Sequence, residues 1–383
     1  MKKLPLKLEK RLQKRKDENS FRQLSSETFG VDLFSNDYLG FARSEKIFEN
    51  TVRILDASKL LNGSTGSRLL SGNHPLFKKA ENMLASFHNS QSALIFNSGY
   101  DANVGFFSAV PQKNDIIFYD EFSHASIRDG LKMSLARNVK FGHNDLEGLR
   151  KKLQKFSKEE DSEIYVVTES VFSMDGDSPD LEALVGMADE FNFNLIVDEA
   201  HATGVLGKKG EGLLQELGLE REIFARIHTF GKAMGCHGAV ILGSRQLMDY
   251  LINFSRSFIY TTALSPHSIA SIFATYRFLE NDRSELNILR ENIQYFRSEI
   301  KKNALEDSFV ESESAIQSCI IPGNSEVKEI AAGLHGKGFN VKAILSPTVP
   351  QGKERLRFCI HSYNSTQEIS EVLKLLANFV AKS

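Results

Sequence analysis

The chain has 383 residues, which exceeds the usual size of one domain and predicts one large and one smaller domain. Its 47 basic and 49 acidic residues nearly balance, so overall charge gives no reason to expect nucleic acid or an anionic membrane as a partner. No run of about 18 apolar residues occurs, so no transmembrane helix is expected. The three cysteines follow no pattern, which argues against a disulfide framework or a zinc site and favours a reducing compartment, by default the cytoplasm.

Residues 1–45 are predicted to form an N-terminal segment with one exposed amphipathic helix. Leu4, Leu8 and Leu12 recur at helical spacing among lysines and arginines. The segment is basic but lacks the apolar run of a signal peptide, so we do not expect it to be one.

Short apolar runs alternate with helix-like segments over residues 46–265. The runs are nearly continuous in hydrophobicity, as a parallel sheet covered on both faces requires. They are SALIF (92–96), DIIFYD (115–120), IYVVTE (164–169), FNLIVDE (193–199), ARIHTF (225–230) and GAVILG (238–243). Alternating β and α units predict a large, doubly wound, mostly parallel α/β domain, in which ligands bind beyond the carboxyl ends of the strands.

The pattern changes over residues 266–383, where we predict a smaller α+β domain. One long amphipathic helix is expected over roughly 266–303. It is followed by β-like runs in AIQSCIIPG, FNVKAIL and RLRFCIH and by a final helix from Thr366. No repeat or long linker separates the two predicted domains.

Polar and ionisable residues collect where the predicted strands end. They are Gly99 and Tyr100 in FNSGY, His124 in DEFSHASIRDG, Ser173 in TESVFSMDGD, Asp198 and His201 in VDEAH, and Thr229 and Lys232 in TFGK. Taken singly, each has an ordinary structural explanation, such as a helix cap, a turn or an exposed side chain. Together, at the ends of parallel strands, they predict one shared crevice.

Lys232 stands in an unusual place for a lysine, between Gly231 and Gly235 and just after a predicted strand. Burying an ammonium group without a partner is costly, and a lysine kept dry becomes a better nucleophile and base. Pyridoxal phosphate (PLP) needs such a lysine, together with a carboxylate at its pyridine nitrogen. Asp198 offers that carboxylate. The flanking glycines are expected to leave room for the cofactor.

PLP also needs phosphate donors, a stacking surface and donors near its phenolate oxygen. The N-terminus of a helix after the turn at Gly99 and Tyr100 supplies backbone N–H groups for a phosphate. His124 offers a ring for stacking, and Ser173 and His201 offer donors for the phenolate oxygen. The pattern therefore predicts a PLP enzyme and calls for no metal.

A set of motifs over nearly the whole chain resembles the α-oxoamine synthases, a family of fold-type-I PLP-dependent transferases. The motifs are SNDYLG (35–40), GSTGSRLLSGNH (63–74), FNSGYDAN (96–103), DEFSHASIRDG (120–130), TESVFSMDGD (168–177), VDEAHATGVLG (197–207), TFGKAMG (229–235) and FIYTTALSP (258–266). Members of this family are homodimers with shared active sites, which the resemblance implies here as well.

The resemblance also implies a role for each matching residue. Lys232 is implied to be the Schiff-base lysine and proton acceptor, Asp198 the partner of the pyridine nitrogen, and His124 the residue that stacks on the ring and donates a hydrogen bond to the thioester oxygen or substrate. Contacts to the phenolate oxygen are implied for Ser173 and His201. Phosphate contacts are implied for Gly99, Tyr100 and Thr229, and Thr262 is implied to contact the phosphate of the neighbouring subunit.

Family members condense a small amino acid with an acyl thioester and lose carbon dioxide. FIYTTALSP and SPTVPQGKERLRFCIH are most similar to the members that join L-alanine to a pimeloyl thioester, carried by coenzyme A or by an acyl carrier protein. On that resemblance Arg357 holds the amino-acid carboxylate as a planar fork, and Arg22 and Thr348 contact substrate. For Arg22, a solvated helix charge is the alternative.

One departure from the family pattern bears on the acyl donor. Where family members commonly have Arg-Pro before PTVP, this chain has Leu345 and Ser346, so either the acyl preference differs or another basic residue such as Lys342 compensates. Two alternatives stay open at this point. One is a family member that uses glycine or serine, such as a glycine C-acetyltransferase or a serine palmitoyltransferase. The other is a non-catalytic binding protein on the same scaffold.

Overall fold

The structure is a computed structural model that describes residues 3–24, 30–58, 62–156 and 162–381. The chain forms two compact units. The larger unit comprises Asn36–Ser173 and Asp177–Arg290, and the smaller unit comprises Met1–Ser35, Met174–Gly176 and Glu291–Ser383.

Strands and helices alternate through most of the described chain. The strands are β1 (Val31–Asp32), β2 (Ser92–Phe96), β3 (Ile116–Asp120), β4 (Arg137–Phe141), β5 (Ile164–Glu169), β6 (Asn194–Asp198), β7 (Ala225–Thr229), β8 (Ala239–Gly243), β9 (Ile316–Ile320), β10 (Phe339–Asn340), β11 (Lys342–Ile344) and β12 (Arg355–Cys359). The helices are α1 (Leu6–Asp17), α2 (Glu45–Ser58), α3 (Pro75–Phe87), α4 (Gly99–Phe107), α5 (Ala125–Met133), α6 (Leu146–Leu153), α7 (Leu181–Phe191), α8 (Leu213–Glu216), α9 (Arg245–Phe254), α10 (Arg256–Ile259), α11 (Pro266–Asn281), α12 (Ser284–Lys302), α13 (Asn324–His335) and α14 (Thr366–Val380).

The larger unit is built on one sheet with the strand order β2-β8-β7-β6-β5-β3-β4. β4, β3, β5, β6 and β7 pair in parallel, whereas β8 runs antiparallel to both β7 and β2. This architecture confirms the predicted large, mostly parallel α/β sheet, and it brings the carboxyl ends of β3, β5, β6 and β7 to one edge.

Both faces of this sheet are covered by apolar side chains. Along β6, Ile196 packs into one buried cluster with residues of α4, α5 and α9, whereas Leu195 and Val197 pack into a second cluster with residues of α6 and α7. Each buried aliphatic side chain of this kind contributes about 1.5–3 kcal/mol relative to an exposed one. Successive side chains of a strand point to opposite faces, and both faces of this sheet are covered, so the inner strands are apolar at nearly every position.

Two elements differ from the sequence-based predictions. β4 was not predicted, because its sequence RNVKF is an edge strand with mostly exposed or half-buried side chains and carries no apolar run. The single helix expected over 266–303 is divided into α11 and α12. Asp282 has extended backbone angles, and its carboxylate accepts a hydrogen bond from the Ser284 amide at 3.0 Å, which begins a new helix.

The smaller unit contains an antiparallel sheet in the order β11-β12-β9. Helix α13 packs against β11 and β12, and α14 packs against α13. α14 begins with a capping box in which Ser365 and Glu368 satisfy each other's backbone amides. Asn292 is buried and donates its amide group to the carbonyls of His361 and Asn364, 2.9 and 2.8 Å away. α1 has no buried residue, in line with the exposed helix predicted for this segment.

The two units do not divide the chain at the boundaries predicted from the sequence, which fall after residues 45 and 265. Helix α11 belongs to the larger unit because it packs against α2 and α3. Residues up to Ser35 belong to the smaller unit because β1 pairs in parallel with β10. In both cases packing between distant segments decides the grouping, and composition along the chain does not reveal it.

Within the described residues, no helix combines the length and the apolar character needed to cross a membrane. Among the described residues, Cys236, Cys319 and Cys359 form no disulfide bond.

Candidate active site

The larger unit places four polar side chains at the carboxyl ends of neighbouring parallel strands. They are Asp120 on β3, Glu169 on β5, Asp198 on β6 and Thr229 on β7. Glu169 lies directly opposite Asp198 in the ladder, and Asp198 lies opposite Ile227. The loops that follow these strands carry the predicted residues His124, Ser173, His201 and Lys232.

Asp198 is buried and well supplied with donors. Its Oδ1 atom accepts a hydrogen bond from the Ala200 amide at 2.9 Å, and its Oδ2 atom accepts one from Asn103 Nδ2 at 2.8 Å. Hydrogen bonds of this kind offset the cost of taking a carboxylate out of water. The side chain is thereby held in one orientation at the end of β6.

His124 caps the N-terminus of α5, and the residue is exposed to solvent. Its Nδ1 atom accepts from the Ser126 amide at 3.2 Å and lies 2.7 Å from Ser126 Oγ. Its own amide donates to Glu169 Oε1 at 2.6 Å. Partial burial lowers the pKa of His124; the Asp198 carboxylate opposes this shift, and the Lys232 ammonium adds to it.

Glu169 is a site residue that the sequence reasoning missed. It is buried, and burial together with the charge of Asp198 raises the pKa of its carboxyl group to about 8, against the hydrogen bond from the His124 amide. Lys232 also acts on the charge state of Glu169. The available signal was its position at the end of a predicted strand, four residues before Ser173.

Tyr38 and Asn103 were also missed as individual residues, although both lie within the quoted motifs. The Tyr38 hydroxyl lies 2.8 Å from His201 Nδ1, and both side chains are buried. Asn103 reaches Asp198 from α4, which is 95 positions away in sequence. Neither partnership could be read from local spacing.

Lys232 lies in the loop between β7 and β8 and is half-buried, whereas the sequence predicted a lysine kept dry. Gly235 was expected from the sequence to leave room for a cofactor, but another backbone segment occupies that space. The φ of Gly235 is +61°, and a Cβ atom there would lie 2.2 Å from the Ala42 amide nitrogen. Close packing of two backbone segments therefore requires glycine at this position. Gly231 is exposed, and a Cβ atom there would meet only the carbonyl of Cys236, at 3.6 Å.

The predicted phosphate turn lies at the N-terminus of α4. Gly99 begins the helix after the N-cap Ser98, and a Cβ atom at Gly99 would lie 3.6 Å from the Thr229 side chain. The first amides of a helix lack intrahelical partners and attract anions. Tyr100 is half exposed, with its hydroxyl donating to Asp129 Oδ2 at 2.9 Å.

Ser173 and Thr262 also belong to the larger unit. Ser173 is half-buried in the loop after β5, and Thr262 is exposed. Asn97 Nδ2 donates to the carbonyl of Thr262 at 2.8 Å, which ties this segment to the end of β2.

The three predicted substrate residues belong to the smaller unit. Arg357 lies on β12 and is buried, with 7% of its surface exposed. Thr348 is exposed in the loop between β11 and β12, where its amide donates to the Leu345 carbonyl at 2.9 Å. Arg22 is exposed in the segment after α1.

The larger unit supplies side chains that fit PLP. A buried, doubly hydrogen-bonded carboxylate at Asp198 suits a protonated pyridine nitrogen. The exposed ring of His124 suits a flat aromatic group, and the start of α4 suits a phosphate. Asp198 and Lys232 both influence His124 and Glu169, so these four ionisable groups share one electrostatic environment.

Comparison with known proteins supports the same class. The profile of the aminotransferase class I and II family matches residues 30–376. An 8-amino-7-oxononanoate synthase from Emericella nidulans is 40% identical, with 98% of this chain and 95% of that protein aligned. An 8-amino-7-oxononanoate synthase from Lysinibacillus sphaericus is 37% identical, with 88% of this chain and 86% of that protein aligned.

Solved structures give the same result. A lysine-to-alanine variant of serine palmitoyltransferase from S. paucimobilis, solved with a bound PLP–myriocin aldimine, superposes with a TM-score of 0.88 at 26% identity and covers 98% of this chain and 97% of its own. An 8-amino-7-oxononanoate synthase from Francisella tularensis superposes with a TM-score of 0.78 at 28% identity and covers 92% of this chain and 98% of its own. The chain therefore belongs to the aminotransferase class I and II family and, within it, to the α-oxoamine synthases.

Proposed function

We propose that the chain is a PLP-dependent acyltransferase that condenses L-alanine with a pimeloyl thioester. The products are 8-amino-7-oxononanoate, carbon dioxide and the free thiol carrier, and the reaction serves biotin biosynthesis. The observation that carries the proposal is the buried Asp198 carboxylate, held by Asn103 and the Ala200 amide and sharing one electrostatic environment with Lys232. The names of the relatives that align over nearly the whole chain support the choice of substrates.

When bound, PLP supplies an electron sink that stabilises negative charge at the α carbon of the amino acid. Lys232 would hold the cofactor, and its half-buried amine would move the proton at the α carbon of the amino acid. Asp198 holds the proton on the pyridine nitrogen. These two residues perform the first half of the chemistry.

The remaining residues orient cofactor and substrates. In this proposal His124 stacks on the cofactor ring and offers a hydrogen bond to substrate, while Ser173 and His201 face the phenolate oxygen. Gly99, Tyr100 and Thr229 bind the phosphate, and Thr262 contacts the phosphate held by a second copy of the chain. Arg357 binds the alanine carboxylate, and Arg22 and Thr348 contact the substrate. The working form is a cytoplasmic homodimer with shared active sites.

A direct test uses the purified protein after incubation with PLP. Borohydride reduction followed by peptide mass spectrometry should find the pyridoxyl group on Lys232. Alanine with pimeloyl-coenzyme A, or with a pimeloyl carrier protein, should give 8-amino-7-oxononanoate, and Lys232→Ala should give none. Failure of the wild-type protein to retain PLP, or full turnover by Lys232→Ala, would refute the proposal.

Serine palmitoyltransferase-like chemistry is a second candidate, because the S. paucimobilis enzyme superposes with the higher TM-score of the two structures. Leu345, at the position of the family arginine, is also consistent with a preference for a different acyl group. Parallel assays with alanine, glycine and serine, each with pimeloyl-, acetyl- and palmitoyl-coenzyme A, separate the candidates. A dominant product from serine and palmitoyl-coenzyme A would select the second.

A further inference from the structure

We infer that His124 works as a neutral imidazole with its proton on Nε2, and that Asn103 and Ser126 are positioning residues that impose this tautomer. A continuous chain of hydrogen bonds leads from Asp198 through Asn103 and Ser126 to His124, entirely within the larger unit. Its meaning for catalysis rests on the proposed function, whereas the proton positions follow from the donors and acceptors alone.

The first link fixes the orientation of the Asn103 amide. Asn103 Nδ2 lies 2.8 Å from Asp198 Oδ2, and both side chains are buried. An ionised carboxylate only accepts hydrogen bonds, so the NH2 group must face it. The reversed amide would place two acceptor oxygens 2.8 Å apart in a buried position. Asn103 Oδ1 has no hydrogen-bond partner among the described residues, so the bonding of this amide runs through Nδ2.

The second link fixes the Ser126 hydroxyl. Asn103 Nδ2 also lies 3.1 Å from Ser126 Oγ, and its second proton is available for that contact. Ser126 Oγ is therefore the acceptor there. Its own proton is left for His124 Nδ1, which lies 2.7 Å away. The buried hydroxyl thus has a fixed direction.

The third link fixes His124. The backbone amide of Ser126 can only donate, and it also points at Nδ1, at 3.2 Å. Nδ1 receives two donors, so it carries no proton itself. A neutral imidazole has one proton, which then sits on Nε2. The lowered pKa of His124 agrees with a ring that stays neutral.

The fixed tautomer suits the proposed chemistry. A pyridine ring that Asp198 keeps protonated carries positive charge, and a cationic imidazolium stacked on it would be repelled. The neutral ring avoids that repulsion and presents one hydrogen-bond donor, Nε2–H, to a substrate oxygen. Asp198 would thus set both the protonation of the cofactor and the donor side of the residue stacked on it.

The test is nitrogen NMR of protein labelled with ¹⁵N-histidine, with and without PLP, with the His124 signals assigned by comparison with His124→Gln. At neutral pH we expect an unprotonated, hydrogen-bonded Nδ1 and a protonated Nε2. Ser126→Ala removes the hydroxyl donor but keeps the backbone donor, so the Nδ1 signal should move toward that of a more weakly hydrogen-bonded acceptor, and Ser126→Thr should restore the wild-type pattern. Ser108→Ala, which removes a hydroxyl bonded to the Val104 carbonyl at the other end of α4, should leave the His124 signals unchanged.

A protonated Nδ1 in the wild-type protein would overturn the inference, and so would His124 signals that do not respond to Ser126→Ala. Circular dichroism and urea unfolding of each variant show whether it is folded, and Ser126→Thr keeps the test decisive if Ser126→Ala is not. Failure of the wild-type protein to bind PLP would refute the proposed function instead. The spectrum of the PLP-free protein would still decide the tautomer.

Discussion

The Tyr38 hydroxyl lies 2.8 Å from Nδ1 of His201, and the two residues are 163 positions apart in sequence. Tyr38 is fully buried, and His201 is nearly so. In this way a loop near the start of the larger unit orients a histidine that follows β6. A buried hydrogen bond of this kind matters mostly through the cost of losing one partner.

Tyr38→Phe should therefore lower the free energy of unfolding by about 1–3 kcal/mol, because His201 loses a buried partner. PLP affinity should fall about tenfold, equivalent to about 1.4 kcal/mol, because the loss of one hydrogen bond holds His201 less firmly. Urea unfolding and a PLP titration measure the two effects. Tyr250→Phe is the matched control, since the Tyr250 hydroxyl donates to the Ala109 carbonyl from a half-buried position, and it should cost less. Equal behaviour of the two variants would contradict the prediction.

Gly235 and Gly231 flank Lys232 but should respond differently to alanine. Gly235→Ala places a Cβ atom 2.2 Å from the Ala42 amide nitrogen at a φ of +61°, so we expect a loss of about 2–4 kcal/mol in the free energy of unfolding. In Gly231→Ala the new Cβ atom makes only an ordinary contact, so the free energy of unfolding should change by no more than about 0.5 kcal/mol. Urea denaturation of the two variants provides the comparison. A Gly235→Ala protein as stable as Gly231→Ala would show that the two backbone segments are not packed as described.

His143 joins two loops next to the site. Its Nδ1 lies 3.0 Å from Asp120 Oδ1 and its Nε2 lies 2.8 Å from Asp177 Oδ2. Its ring stacks on Phe122 and meets the edge of Phe172. Burial opposes protonation, but the two carboxylates more than offset it and raise the pKa of His143 to about 9.

A histidine whose pKa is higher in the folded than in the unfolded protein stabilises the fold when it is protonated. That stabilisation is complete below the unfolded pKa of about 6.5 and is lost as the pH rises through the folded pKa. As the pH rises from 6.5 to about 9, deprotonation of His143 should thus lower the free energy of unfolding by up to about 3 kcal/mol. Urea unfolding at several pH values should show this loss in the wild type and not in His143→Gln. Subtracting the two curves removes other titrating groups, such as Glu169, which both proteins contain. A pH-independent difference would contradict the paired, charged His143.

Arg357→Lys tests the proposed carboxylate contact. A lysine keeps the charge but loses the planar fork that holds a carboxylate through two parallel hydrogen bonds. We expect the KM for alanine to rise about 10- to 100-fold while PLP affinity stays within about twofold, since the cofactor residues lie on other elements. Steady-state kinetics and a PLP titration separate the two effects. A change confined to PLP affinity would place Arg357 outside amino-acid binding.

Local sequence was sufficient for most of the central sheet. The inner strands are buried on both faces, so their apolar runs stand out without any knowledge of neighbours. β4 was missed because most of its side chains are exposed or half-buried, so it has no apolar run. The direction of β8 was not visible because side-chain periodicity does not record strand polarity. The break between α11 and α12 depends on the backbone at Asp282, which the amphipathic pattern passes over.

The sequence by itself determined the residue types at the strand ends, including Lys232, Asp198 and His124, because their motifs are short and contiguous. Only the tertiary structure decided which groups hold them in place. Asn103 meets Asp198 across 95 positions, and Glu169 meets the His124 amide across 45. Such hydrogen bonds depend on distances between separate strands and helices. Those distances are set when the apolar faces pack, and no local pattern in the chain encodes them.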